Sequence, residues 1–245
     1  REWLASACLE IIIMAEILPL RAWRYNPSLT QDMEALTSPL FDVVSSRQRE
    51  KLYQEPLNSI HLSVPRGDDP AQTARQKLEE WKINDIIRQD PIPAIYVYYQ
   101  EFSLPGSQEI FCRKGFICNI RAYDWSENVL LRHENTIPKA VNDRIDILEA
   151  TQLNVSPTHG LYTDSDFTLE KYMDESMINP IYDNEDYQGV RDRMSIIQDR
   201  EVIEKFIHVL KDKQVILADG HHRYEGSLKY RKRMTQKNPG HTGME

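Results

Sequence analysis

The sequence predicts an α+β fold, a mixed sheet with flanking helices, and three observations lead to it. Segments typical of strands alternate along the chain with segments typical of helices. Two long β-rich runs are separated by a Pro-Gly turn, which indicates an antiparallel hairpin. Capping residues mark the starts of several helices. Because the hairpin interrupts a purely parallel arrangement, α+β is favoured over a doubly wound sheet.

Local patterns define the elements before the hairpin. Ser45 with Gln48 has the spacing of a capping box, in which each residue's side chain binds the other's backbone N–H. Asp69 followed by Pro70 is typical of a helix start. The patterns predict, in order, a short strand at 17–23, an extended segment at 38–44, a helix from Ser45 to Tyr53, a strand at 59–64 and a helix after Asp69.

The second half begins with the hairpin, whose strands are predicted near 94–102 and 110–120. Residues 213–218 are predicted to form a strand that is apolar enough to be buried. The remaining predicted elements are helices at 138–151, 167–177 and 199–211 and a final helix that begins near Arg223.

Length and chain ends bear on domain organisation. The 245 residues suffice for one large domain or two small ones, and we expect a single α+β domain over residues 14–245. Met14 reads as a natural start, so residues 1–13 are expected to be an upstream extension. The apolar run 9–13 is too short to span a bilayer, so no membrane partner is expected. Because the chain stops soon after a helix, we expect a fragment truncated at its C-terminus.

Charge and cysteine content narrow the partners. The net charge of -8 opposes the phosphate backbone of nucleic acids, so we expect no nucleic-acid partner. Three cysteines without a short-spaced pair argue against a disulfide framework or a zinc site. A cytoplasmic location is therefore expected.

The segment Asp219–Arg223 carries the strongest chemical signal. A predicted strand ends here, Gly220 allows a tight turn, and a helix follows at once. The first N–H groups of a helix are unpaired and attract anions. Arg223 adds a planar fork suited to phosphate, and His221 and His222 add further donors. The negative charge of Asp219 opposes anion binding. Asp219 could instead cap the helix, orient a histidine or coordinate a metal. A polar turn capped by Asp219 explains the same residues.

Several segments of the chain resemble, in order, the family catalogued as domain of unknown function 1015. The resemblance rests on Asp219–Arg223 with its flanks, on Leu18-Pro19-Leu20-Arg21-Ala22, on Ser38-Pro39-Leu40-Phe41-Asp42-Val43-Val44-Ser45, on Arg132-His133-Glu134-Asn135-Thr136 and on Asp143-Arg144. In the segment Ser38–Ser45, Leu40 and Phe41 replace the family's Pro and Tyr.

That family looks like a relative of the ParB/sulfiredoxin-type superfamily, which includes free serine kinases. The resemblance implies a ParB/sulfiredoxin-like core with nucleotide phosphates at Asp219, Gly220, His221, His222 and Arg223. It also implies ATP or ADP as nucleotide, Mg²⁺ as its ion and a small-molecule substrate.

Phosphoryl transfer also needs a carboxylate to orient the attacking hydroxyl. Asp42 is one candidate catalytic residue, and a turn or helix-entry role explains it equally well. His133 and Glu134 are the others, with a simple loop before Pro138 as the alternative.

Three functions follow from these motifs. The first is a nucleotide-dependent kinase for a small hydroxyl compound such as free serine. The second is a ParB-like regulatory module that binds nucleotide without kinase activity. The third is a structural protein in which the turn is only a capped helix.

Overall fold

The computed structural model describes residues 15–40, 44–186 and 189–240. Helices and strands alternate through these residues. The helices are α1 (Met33–Leu36), α2 (Ser46–Leu52), α3 (Ile60–Ser63), α4 (Pro70–Ile83), α5 (Pro138–Thr151), α6 (Glu170–Ser176), α7 (Arg200–Lys211) and α8 (His221–Lys237). The strands are β1 (Ile17–Leu18), β2 (Trp23–Tyr25), β3 (Ile87–Gln89), β4 (Ile95–Ser103), β5 (Ile110–Ile117), β6 (Asn119–Ile120), β7 (Leu130–Leu131), β8 (His159–Leu161), β9 (Tyr182–Glu185), β10 (Arg191–Ile197) and β11 (Val215–Asp219).

The strands are divided among several small sheets. The largest has the order β5-β4-β10-β9 and is antiparallel throughout. A three-stranded sheet has the order β7-β11-β8, with β7 parallel and β8 antiparallel to the central strand. Two further antiparallel pairs are β1-β6 and β2-β3. The α+β class is therefore confirmed, and mixed pairing is found in the three-stranded sheet.

The hairpin and the capped helices are confirmed. β4 and β5 pair from Tyr96↔Ile117 to Ser103↔Ile110. At the start of α4, the Asp69 side chain accepts a hydrogen bond from the Gln72 N–H at 3.0 Å. Each of these elements is specified by a few neighbouring residues, so short-range patterns were enough to find it.

The predicted strand at 59–64 is wrong, because these residues contain the one-turn helix α3. The cause is the fully buried Asn58, whose side-chain oxygen accepts from the Ile60 N–H at 3.0 Å. Its amide group donates to the carbonyls of Ala35 and Thr37, each at 2.8 Å. These contacts tie the chain into a turn that apolar alternation cannot reveal.

Strands β9 and β10 have no counterpart among the predicted elements. β10 is the second neighbour of the central strand β4, with Ile197 opposite Ile95. Its start is polar, and Arg191 pairs with Asp183 of β9 at 2.7 Å, whereas Arg193 pairs with Glu101 of β4. Such cross-strand charge pairs stabilise a strand whose sequence lacks the apolar pattern.

The main core lies between the largest sheet and the helices α6, α7 and α8. It includes the fully buried side chains of Val97, Phe206, Leu217 and Leu228. Helix α8 also packs closely on α5, because a Cβ at Gly226 would lie 3.6 Å from the Ile145 side chain. This packing fixes where the first turn of α8 lies. Within the described residues, every helix is too short or too polar to cross a lipid bilayer.

A charged network joins β2, β3 and β4 at the edge of the fold. The Asp90 carboxylate accepts hydrogen bonds from Arg24 at 2.7 and 2.8 Å and from the Tyr96 hydroxyl. Burial alone raises the pKa of Asp90, but the hydrogen bonds from Arg24 and Tyr96 outweigh it and hold that pKa below its usual value.

Asp90→Asn is expected to lower the free energy of unfolding by about 1 kcal/mol at neutral pH, because charge-assisted bonds become neutral ones. Since the folded-state pKa is lowered, the contribution of the carboxylate is present above its ordinary pKa and is lost as the pH falls through the folded value. Urea midpoints of the two proteins, measured from pH 7 downward, should therefore converge once the pH has fallen through the folded-state pKa of Asp90. Asp85→Asn, in an exposed pair with Arg88, should not change the midpoint noticeably at any of these pH values. Equal loss above and below the folded-state pKa would contradict this role for Asp90.

Candidate functional site

The three-stranded sheet brings distant segments to one place. β7 and β11 run parallel, with Val215 opposite Leu130 and Ile216 opposite Leu131. Continuing that register places residues 132–134 beside the end of β11. β8 runs antiparallel, and its first residue His159 lies opposite Asp219. The end of β11 is therefore flanked on one side by the segment after β7 and on the other by the loop before β8.

The turn after β11 is made by Gly220. Its backbone is left-handed, with φ +90° and ψ 27°, a conformation that glycine adopts without steric cost. The 17-residue helix α8 begins at the next residue, and its first intrahelical bond runs from the Tyr224 N–H to the Gly220 carbonyl at 2.9 Å. The backbone N–H groups of residues 221–223 precede that bond. They lie outside the hydrogen-bond ladder of α8 and at the positive end of its dipole.

The Arg223 side chain folds back beneath this turn. It is 91 % buried, and its Nη2 donates to Asp219 Oδ2 at 2.5 Å. Its Nη1 donates to Ser156 Oγ at 2.6 Å and to the Pro157 carbonyl. The Nε atom is buried and has no hydrogen-bond partner among the described residues. Arg223 thus ties the loop before β8 to the end of β11.

The two histidines after Gly220 have different surroundings. His222 Nε2 accepts a hydrogen bond from the Ile137 N–H at 3.0 Å, so this side chain positions the start of α5. His221 is 98 % buried, and its Nδ1 lies 3.1 Å from Glu134 Oε1. The ring of His133 meets the His221 ring edge-on, with centroids 4.6 Å apart.

Burial lowers the pKa of His221, and the neighbouring His133 adds to the effect, whereas the Glu134 carboxylate opposes it. The net direction is downward, so the imidazole is neutral at neutral pH. A neutral imidazole offers a lone pair to a proton or an ion, and it contributes little positive charge toward a phosphate.

The Arg223 side chain also lines a cavity of about 240 Å³. Arg144 lines it and donates to the Ser63 carbonyl at 2.7 Å. The wall of the cavity combines polar and apolar groups, and its volume is below the range of about 300–1,000 Å³ typical of larger ligands. Other lining residues are Ser38, Leu40, Ser59, Leu153 and Asn154.

The structure brings together two groups of predicted site residues that are far apart in sequence. His133 and Glu134 lie against the turn Asp219–Arg223, through the contact of Glu134 with His221. Asp42 lies outside the described residues, although Ser38 of the same motif lines the cavity.

Sequence reasoning missed the part played by the loop before β8. From its composition the loop could line a pocket, but turn chemistry alone explains its polar residues, and it is therefore not among the predicted site residues. The structure places Ser156 on the Arg223 guanidinium, and a Cβ at Gly220 would lie 3.0 Å from the Thr158 side chain. The polar residues between Asn154 and Gly160 were the available signal.

Two sets of side chains at the turn could hold metal ions of different kinds. Asp219 offers a carboxylate that is 42 % exposed, and carboxylates suit Mg²⁺ bound to phosphates. His133, Glu134 and His221 each offer one donor atom, and these three atoms lie within 4.8 Å of one another. Imidazole nitrogens are poor ligands for Mg²⁺, so this second set does not fit the ion that the resemblance implies.

Comparisons with known proteins bear on the family. No curated protein and no solved structure matched the chain. A family model described as "Protein of unknown function (DUF1015)" matches residues 17–245. The match covers nearly the whole sequence, and the chain therefore belongs to this family.

Proposed function

We propose that this protein is a nucleotide-dependent phosphotransferase that acts on a small hydroxyl compound. The nucleotide phosphates lie at the turn Asp219–Arg223, where they meet the free N–H groups of α8, and the buried Arg223 guanidinium holds that turn in place and adds its positive charge. The observation that carries the proposal is the left-handed Gly220 at the start of a 17-residue helix, with Glu134 and His133 beside it. Together they supply an anion site and polar groups for a second reactant.

The acceptor occupies the cavity behind Arg223. At about 240 Å³ the cavity suits a metabolite the size of an amino acid and is too small for a whole nucleotide. A carboxylate accepts the proton of the attacking hydroxyl, and the two candidates are Asp42 and Glu134. Mg²⁺ bound by Asp219 and the phosphates would neutralise charge on the transferred group.

The resemblance to free serine kinases is part of the basis for this proposal. In our proposal, β7, β11, β8 and α8 form a ParB/sulfiredoxin-like nucleotide core, and the protein works without a nucleic-acid partner. Support for the latter comes from ion pairs of the basic residues on α8, in which Arg231 and Lys232 contact Asp124 and Arg233 contacts Glu149. These contacts reduce the positive charge that α8 could present to a phosphate backbone.

The test has a binding step and a turnover step. Calorimetric titration with ATP and with ADP should show binding of at least one nucleotide. Incubation of that nucleotide with a panel of amino acids and sugars, free serine included, should then release ADP from ATP or AMP from ADP as the acceptor gains phosphate. Absence of binding by both nucleotides would overturn the proposal. Binding without transfer to any acceptor would favour the regulatory module instead.

A further inference from the structure

We propose that His133, Glu134 and His221 form a binding site for a divalent transition-metal ion, with Zn²⁺ the preferred ion. The proposal does not depend on nucleotide, because the fold itself brings the three side chains together. It adds a second function to Glu134 and gives His221 a function other than phosphate binding. If Glu134 binds a metal ion, Asp42 is the better candidate to orient the acceptor hydroxyl.

The separations between the donor atoms suit a shared ion. Zinc binds histidine nitrogens and carboxylate oxygens at about 2.0–2.2 Å, so two ligands of one ion lie about 3.0–3.5 Å apart. His221 Nδ1 and Glu134 Oε1 are already 3.1 Å apart. The His133 donor completes a set whose members all lie within 4.8 Å. A shift of about 1–2 Å by one side chain closes the set.

The three residues differ in exposure, and this difference makes that shift easy. His221 is held by the core, with 1 % of its side chain exposed. Glu134 has half of its side chain exposed, and His133 is exposed as well. One fixed ligand and two adjustable ones can adapt to an ion without disturbing the packing of α8. The exposed side also leaves room for water or substrate as a further ligand, as in catalytic zinc sites.

The orientation of the buried histidine supports this assignment. His221 turns Nδ1 toward Glu134 Oε1 at 3.1 Å, and the His133 ring meets the His221 ring edge-on, with centroids 4.6 Å apart. An ion bound at Nδ1 would explain why a buried histidine faces a carboxylate and a second histidine.

The donor set also selects the ion. Two imidazoles and one carboxylate match the ligands of zinc enzymes and of related sites for iron or cobalt. Mg²⁺ prefers oxygen ligands in octahedral geometry and gives up its water reluctantly. We therefore expect Zn²⁺ and Co²⁺ to bind and Mg²⁺ to bind at least about 100-fold more weakly.

The test uses tag-free protein, treated with a chelator and then dialysed, with no nucleotide present. Calorimetry should show one Zn²⁺ per chain, and Co²⁺ should give visible absorption bands of a histidine-ligated ion. His133→Ala and Glu134→Gln should each weaken binding at least about tenfold. The control is His208→Ala, which removes an exposed histidine on α7, outside the cluster. It should leave Zn²⁺ binding unchanged.

Two results would overturn the proposal: no stoichiometric Zn²⁺ binding, or unchanged binding in both His133→Ala and Glu134→Gln. Both substitutions are at exposed residues, so their interpretation does not depend on a change in the core. Circular dichroism confirms that each variant is folded. Because nucleotide is absent, failure here leaves the phosphotransferase proposal intact, and failure of nucleotide binding leaves the metal site intact.

Discussion

Gly220→Ala is expected to destabilise the protein by about 2 kcal/mol and to weaken nucleotide binding at least tenfold. Alanine at φ +90° has backbone strain of about 1 kcal/mol. Its Cβ would also lie 3.0 Å from Arg223 Nε and Nη2 and from the Thr158 side chain. The guanidinium and the loop must therefore move away from the turn, and the N–H groups of α8 lose their alignment. Urea unfolding and calorimetric titration measure the two effects.

Gly106→Ala is the matched control for this substitution. Gly106 is also left-handed, with φ +83°, but a Cβ there has no heavy atom within 4 Å. The Gly106→Ala variant measures the effect of backbone strain without crowding, which we expect to lower stability by about 1 kcal/mol. It should leave nucleotide binding unchanged. Equal effects of the two variants on binding would show that the Gly220 turn has no part in holding the phosphates.

Arg223→Lys is expected to cost about 2 kcal/mol of stability and at least tenfold in nucleotide affinity, although the charge is kept. Lysine cannot bond Asp219, Ser156 and the Pro157 carbonyl together, because it lacks the planar fork. These partly exposed acceptors then lose hydrogen bonds, and the loop before β8 is released from the turn. Denaturant unfolding with and without nucleotide separates the loss of stability from the loss of binding.

Arg231→Lys serves as the comparison on the same helix. Arg231 bonds Asp124 at 2.6 Å and the Ala122 carbonyl, but a third of its side chain is exposed. Its replacement should cost less than 1 kcal/mol and leave affinity for nucleotide at the parent value. If Arg223→Lys retained full affinity, the phosphates would have to lie elsewhere.

The elements that were predicted correctly are those specified by neighbouring residues. The hairpin of β4 and β5 depends on its turn, and α4 depends on Asp69 and Pro70. Strand β10 was missed because its place beside β4 is set by a partner about 90 residues away, and its charges are balanced only across the sheet. Residues 59–64 were assigned wrongly because the contacts of Asn58 with α1 are not visible in a local pattern.

In the candidate site, too, the predictable part depends on neighbouring residues and the rest depends on long-range pairing. The turn at Gly220 was predictable because strand, glycine and helix follow one another directly. Its neighbours were not, since Glu134 reaches His221 through the parallel pairing of β7 with β11, and Ser156 reaches Arg223 through β8. Parallel pairing has no short connecting turn that a sequence pattern could show. The roles of Asp42, His133 and Glu134 in catalysis stay predictions.

The parallel pairing of β7 with β11 also has a thermodynamic consequence. Glu134 reaches His221 and Ser156 reaches Arg223 only when the sheet, α5 and α8 are all in place. A chain that has opened any of these elements has no complete site, so a ligand can bind the native state alone. A ligand at 100 times its dissociation constant would then stabilise the whole domain by about 2.7 kcal/mol. A rise in melting temperature is therefore a direct way to screen for the natural ligand.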